Sequence, residues 1–148
     1  RWSETMEAEI HALFRRHEDN FNRGLHGEAA PEDAGALFTP EFIAAGPQGV
    51  ATGRNDASLV EAMRAGYDHY RATGAQAMTL RDVAVTPIDD RHATAKVSWR
   101  ARYRRKDGSQ TDIDFEVTYF VRLTDEGPRI FGWVSGDEEA LLRERGLA

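Results

Sequence analysis

From Ala93 to Tyr103 the chain alternates without a break: Ala93, Ala95, Val97, Trp99, Ala101 and Tyr103 share one parity, while Thr94, Lys96, Ser98, Arg100 and Arg102 share the other. Ile113, Phe115, Val117, Tyr119, Val121 and Leu123 repeat the pattern shortly afterwards. A period of two marks a strand with one buried face, so two such runs in succession predict a long antiparallel hairpin whose apolar face must be covered by other elements. That requirement excludes an all-helical fold and makes the rest of the chain answerable for a lid.

The connection Lys106-Asp107-Gly108-Ser109 sets the pairing. A two-residue loop would oppose odd to even positions and set Arg102 against Ile113. A three-residue loop with Gly108 left-handed avoids that conflict. It predicts Arg104 opposite Asp112, Arg102 opposite Asp114 and Arg100 opposite Glu116, with Tyr103/Ile113, Ala101/Phe115 and Trp99/Val117 paired on the apolar side.

The flanking segments supply the cover. Met6, Ile10, Leu13, Phe14 and Phe21 make one helical stripe between Ser3, the expected N-cap, and Gly24, the expected stop; His17 lies on that stripe. A short helix is expected from Pro31 to Leu37, then a short strand from Phe38 to Ala45 ended by Gly46-Pro47-Gln48-Gly49. Asn55 or Asp56 can cap a third helix with Leu59, Val60, Met63, Tyr67 and Tyr70 on its apolar face, ended by Gly74. In the strand Gln76–Ile88, Met78 and Leu80 have one parity and Val83 and Val85 the other, which predicts a bulge near Asp82 and a bend in the sheet. Ile130 to Ser135 reads as a last strand, apolar on both faces, and Asp137 caps a final helix through Arg145, stopped by Gly146.

Composition limits the function. A chain of 148 residues fits one domain, and a net charge of −6 opposes phosphate binding, so nucleic acid is not an expected partner. There is no cysteine, which removes disulfides and thiolate chemistry. No apolar run approaches the roughly 20 residues of a membrane span, and the first residues lack a signal-peptide layout, so no membrane partner and a cytoplasmic location are expected.

The order of elements, the run Leu37-Phe38-Thr39-Pro40-Glu41-Phe42, the turn from Gly46 through Gly49 with Gly53 beyond it, and a meander ending in Gly132-Trp133 resemble the nuclear-transport-factor-2-like superfamily. SnoaL-like cyclases, ketosteroid isomerases and scytalone dehydratase belong to it. The resemblance spans nearly the whole chain, residues 1–148. It implies an α+β fold: a cone-shaped, curved antiparallel sheet with three N-terminal helices wrapped over it, a short C-terminal helix, and an apolar pocket inside. It also implies a homodimer formed through the outer sheet face.

An isomerase-like site needs a carboxylate base and neutral donors at a developing oxyanion. Carried over by position, the donor on the first helix falls on His17 and the donor on the penultimate strand on Tyr119. The base position holds Gly46, preceded by Ala44 and Ala45, so the carboxylate is missing. Phe14, Phe21, Phe42, Met63, Tyr67, Trp99 and Phe131 are the expected ligand-contacting wall. His11, His26, His69 and His92 have no metal-pair spacing, and neither a metal nor another cofactor is expected. The basic run from Arg100 to Lys106 reads as a salt ladder with the acids opposite it.

Two readings stand. One is a small-molecule isomerase, cyclase or dehydratase acting on an apolar, oxygen-bearing substrate through His17 and Tyr119. The other is a non-catalytic ligand-binding or dimerisation module of the same fold.

Overall fold

The computed structural model describes residues 4–147. In chain order it contains α1 (Glu4–Leu25), α2 (Pro31–Gly35), β1 (Phe38–Gly46), β2 (Gly49–Arg54), α3 (Ala57–Ala72), β3 (Ala75–Pro87), β4 (His92–Arg104), β5 (Gln110–Thr124), β6 (Gly127–Ser135) and α4 (Glu138–Glu144). The strands form one curved six-stranded sheet in the order β2-β1-β6-β5-β4-β3. All neighbours are antiparallel except β1 and β6, which run parallel. Helices α1 and α3 lie over its inner face, giving the α+β architecture that the family resemblance implies.

The stripe on α1 is the centre of the core: Ile10, Leu13 and Phe14 are fully buried against Val97, Val121 and Ile130 from the sheet. Ser3, the expected N-cap, lies outside the described residues. At the other end the helix does not stop at Gly24. It continues to Leu25, and Gly27, at φ +74°, makes the left-handed exit. Gly24 serves a different purpose, because the ring of Tyr67 from α3 occupies the place a Cβ would take. The two helices approach closely there.

The edge strand β3 is sealed by α1. The Asn22 amide donates to the Met78 carbonyl and accepts from the Met78 N–H, both at 2.8 Å, and Glu18 accepts from the Leu80 N–H at 2.6 Å. A row of open backbone groups, the usual hazard of an edge, is thereby satisfied. Just beyond, the pairing with β4 slips between Leu80 and Asp82, the bulge expected from the parity change.

The β4–β5 register differs from the expected one by two residues. Arg104 pairs with Gln110, Arg102 with Asp112, Arg100 with Asp114 and Trp99 with Phe115. The turn explains the shift. Arg105 and Ser109 close the loop through an N–H to carbonyl bond of 2.7 Å, which puts Gly108, at φ +88°, in the third loop position, where a three-residue loop takes its left-handed residue. The expected register had placed it second. A slip of two keeps every side chain on its face, so the buried set is unchanged. The salt ladder forms with shifted partners: Arg100 Nε to Asp114 at 2.7 Å and Arg102 Nε to Asp112 at 3.3 Å.

Two further differences concern the turn after β1. The segment that follows it is not a direct entry to the third helix but a second strand, β2, paired from Glu41↔Arg54 to Gly46↔Gly49. Asp56 then caps α3, accepting from the Ser58 N–H at 2.8 Å, while Asn55 ties the chain back to the Gly35 and Phe38 carbonyls. At the far end Asp137 caps α4 and Gly146, at φ +70°, ends it. No helix among the described residues is long and apolar enough to cross a membrane.

Candidate functional site: an aromatic cavity between helices and sheet

Bending the sheet under α1 and α3 leaves a cavity of about 510 Å³. Its size falls within the range of small-molecule sites. Every element except α2 contributes to its wall. The floor is aromatic: Phe42 and Trp133 stack at 5.4 Å, Phe38 tilts against both, and Trp99 and Phe115 continue the surface along β4 and β5. Gly53 is required by this floor, since the Phe42 ring fills the space beside its Cα. Phe21, Met63 and Tyr70 come down from the helices.

His17 reaches the cavity from the α1 stripe, as expected. Its ring is ringed edge-on by Trp99 (5.6 Å), Tyr119 (5.9 Å) and Phe38 (6.3 Å). This desolvated setting lowers its pKa from 6.5 to about 4, with a smaller opposing interaction from its own backbone. The imidazole is therefore neutral at pH 7. Its Nδ1 is buried and satisfies no hydrogen bond among the described residues.

Tyr119 is buried beside it. The Trp99 indole N–H donates to the Tyr119 hydroxyl oxygen at 3.3 Å, leaving the phenol proton free to be donated. Burial raises the Tyr119 pKa, so the phenol stays protonated.

Of the expected ligand wall, Phe21, Phe42, Met63 and Trp99 line the cavity and three residues do not. Phe14 is sealed in the core behind it, 4.8 Å from the Tyr119 ring. Tyr67 turns to the other side of α3, over Gly24 and toward a smaller cavity of about 250 Å³. Phe131 is on the outer sheet face with Phe120 and His92, at 5.7 and 5.9 Å. The cause is a bulge: Ile130 pairs with Val121 and Gly132 with Phe120, so Phe131 is the extra residue and the alternation skips it.

The β1 end of the wall carries no acid. Ala44 faces the cavity, and a Cβ on Gly46 would meet the Ser135 hydroxyl at 3.3 Å. A carboxylate is nevertheless present, from an element that position-by-position reasoning did not consult. Glu138, the first residue of α4, lines the cavity and accepts a 2.6 Å hydrogen bond from the Tyr70 hydroxyl. Desolvation raises its pKa, partly offset by that bond. Arg54 lines the wall as well, exposed and 3.8 Å from Glu41. Of the remaining histidines, His69 bonds Glu139 at 3.0 Å and His92 bonds Asp89 at 2.8 Å. Among the described residues no group of three His, Asp or Glu side chains is placed to hold a metal ion.

Solved structures share this fold. An NTF2-like protein with a cystatin-like fold from Novosphingobium aromaticivorans superposes with a TM-score of 0.71 at 19% identity, covering 97% of this chain and 88% of that one. A protein from Kribbella flavida gives 0.69 at 20% identity, covering 90% of each chain. A nuclear transport factor 2 superfamily protein from Salmonella enterica serovar Typhimurium gives 0.63 at 18%, covering 88% of this chain and 89% of that one. At such identities the likeness is one of fold. No curated protein matches the sequence. The family described as NTF2-like protein (DUF6841) matches residues 7–138, nearly the whole of the helix-covered sheet and its cavity, and the chain belongs to that family.

Proposed function

We propose that the cavity binds a small, largely apolar, oxygen-bearing molecule and performs acid–base chemistry on it, in the isomerase, cyclase or dehydratase class. His17 and Tyr119 are the polar contacts, and Phe21, Phe42, Met63 and Trp99 part of the apolar wall. The observation that carries this reading is the unpartnered Nδ1 of His17 in an aromatic cavity of ligand size. A buried nitrogen left without a partner costs on the order of 1–3 kcal/mol, and a bound ligand oxygen would relieve that cost. The test is a ligand-induced melting screen on wild type, His17→Ala and Tyr119→Phe. A ligand that raises the wild-type melting temperature should lose most of its effect in the two variants. Equal shifts in all three would sink the assignment of both residues.

A second reading, a non-catalytic ligand-binding or dimerisation module, has its own observation. Ile43 and Val134, 49% and 47% exposed, lie on the outer face where β1 meets β6, close to Phe120 and Phe131. Such a patch is suited to self-association through the outer sheet face. Light scattering at micromolar concentration should show a dimer that Val134→Asp dissociates. A monomeric wild type would remove this reading.

A further inference from the structure

The wall of the aromatic cavity is unevenly charged. Among the described residues Glu138 is its one carboxylate, while His17, Tyr70 and Tyr119 are neutral at pH 7 because burial disfavours their ionised forms. The cation on the wall, Arg54, is exposed, with Glu41 3.8 Å away and its charge acting on Asp56. Neither Arg54 nor any other Arg or Lys among the described residues is paired with Glu138.

Glu138 stands where the cavity meets the surface. On its inner side it shares the wall with Ser135 and Tyr70, and on its outer side it borders a groove with Gly46 and the rest of the β1–β2 turn. Helix α3 fixes it there: His69 bonds Glu139, and the Tyr70 hydroxyl donates to Glu138 Oε1 at 2.6 Å. The groups facing its carboxylate are Tyr70 on α3, Tyr103 on β4, Tyr119 on β5 and Glu139 on its own helix, three phenols and a second acid. None of them is positive. A half-buried carboxylate with one phenol bond and no cation has given up hydration that these neighbours do not replace.

The surfaces beside it are aromatic. Tyr70 packs edge-on against Phe21 at 5.0 Å, Trp133 stacks on Phe42 at 5.4 Å, and Trp99 extends the wall. The face of an aromatic ring is the negative side of its quadrupole and attracts cations, that of Trp most strongly. Carboxylate and rings therefore ask the same of a ligand, a positive charge carried on an apolar frame. The net charge of −6 draws cations toward the chain as well. An anion would be repelled by Glu138, and an uncharged molecule would leave it as uncompensated as before.

We propose that the cavity takes a protonated hydrophobic amine, its ammonium held by Glu138, its carbon skeleton against the rings, and an oxygen at its far end meeting His17 and Tyr119. This names the ligand class of the site proposed above and rests on that reading. An aliphatic amine with a pKa near that of Lys, about 10, is a cation at pH 7. Its N–H donates to the carboxylate oxygen that Tyr70 leaves open, and the ring faces take the place of the water the ammonium sheds. Glu138 is thus the residue that sets specificity for charge, with Tyr70 as its positioning residue.

The test uses three ligands that share one skeleton and one far oxygen and differ in charge at a single carbon. They are 6-methoxy-2-aminotetralin, a cation at pH 7, the neutral 6-methoxy-2-tetralol, and the anion of 6-methoxytetralin-2-carboxylic acid. Binding is read by quenching of tryptophan fluorescence. In wild type the amine should bind about tenfold tighter than the alcohol, and the carboxylate weakest of the three. Glu138→Gln, which keeps an acceptor for Tyr70, should bring the amine to within about threefold of the alcohol. The order of affinities in wild type decides the question of charge even where that variant fails to fold. An alcohol that binds wild type as tightly as the amine, a carboxylate that binds tightest, or a Glu138→Gln variant that keeps the tenfold preference would overturn the amine and leave the cavity reading standing. Absence of binding of all three to wild type would overturn both.

Discussion

The neutral histidine in the cavity makes stability depend on pH in a way that one substitution can isolate. In the folded chain His17 titrates at about 4, against 6.5 when unfolded. Between those values the unfolded state binds more protons than the folded one, so stability falls as pH falls, starting near 6.5 and levelling off below about 4. Linkage of these two constants gives a loss of about 2 kcal/mol by pH 5 and about 3 kcal/mol by pH 4. In His17→Phe, which replaces an imidazole with a ring at home among Phe38, Trp99 and Tyr119, this contribution is gone. Urea unfolding at pH 7 and pH 5 on both proteins should therefore show wild type losing about 2 kcal/mol more than the variant. In thermal melts the same difference is on the order of 5 °C. The carboxylates titrate in both proteins and cancel in the comparison. Parallel pH dependences would show that His17 keeps an ordinary pKa and is not desolvated by the aromatic wall.

Other consequences can be checked by melting. Gly24→Ala should destabilise by about 1–3 kcal/mol, because the Tyr67 ring must leave the space the new methyl enters. A variant as stable as wild type would mean that α1 and α3 are not in contact there. Asn22→Ala removes both bonds to Met78 and should cost about 1–3 kcal/mol, with faster amide exchange of Met78 as a local signature. Glu138→Gln should melt at or above the wild-type temperature at pH 7, and the gap should close toward pH 4. A raised folded pKa makes the ionised carboxylate a burden that disappears on protonation. A large loss of stability at pH 7 would mean that the charge itself is structural.

What could be read from the chain followed from periodicity, and what could not followed from its interruptions. The parity of β4 and β5 separated their inner faces from their outer ones even though the register was off by two, because face and register are independent for even slips; Phe115 and Leu123 on the inner parity are only partly buried. His17 was found because it falls on the stripe of Leu13 and Phe14. Strand β2 was missed because Gly49–Arg54 has almost no buried side chain, and an exposed edge strand leaves no apolar pattern. Phe131 was misplaced by a bulge that a two-sided apolar strand conceals. Glu138 was invisible for another reason. Next to Asp137 it looks like ordinary acid at a helix start, and only the docking of α4 on α3 turns it inward.

The parallel pairing of β1 with β6 bears on how the cavity comes into being. The Ser135 hydroxyl bonds the Ala45 carbonyl, ninety positions earlier, and the contacts around it have similar separations. Hairpins β3–β4 and β4–β5 can zip locally, whereas β1 must wait for the end of the meander to arrive. The floor formed by Phe42 and Trp133 is then the last part of the wall to close, and any molecule that fits it meets a complete site only at the end of folding. Such a molecule would slow unfolding and scarcely affect the rate of folding. The kinetics of refolding thus offer a way to recognise a ligand without knowing what it becomes.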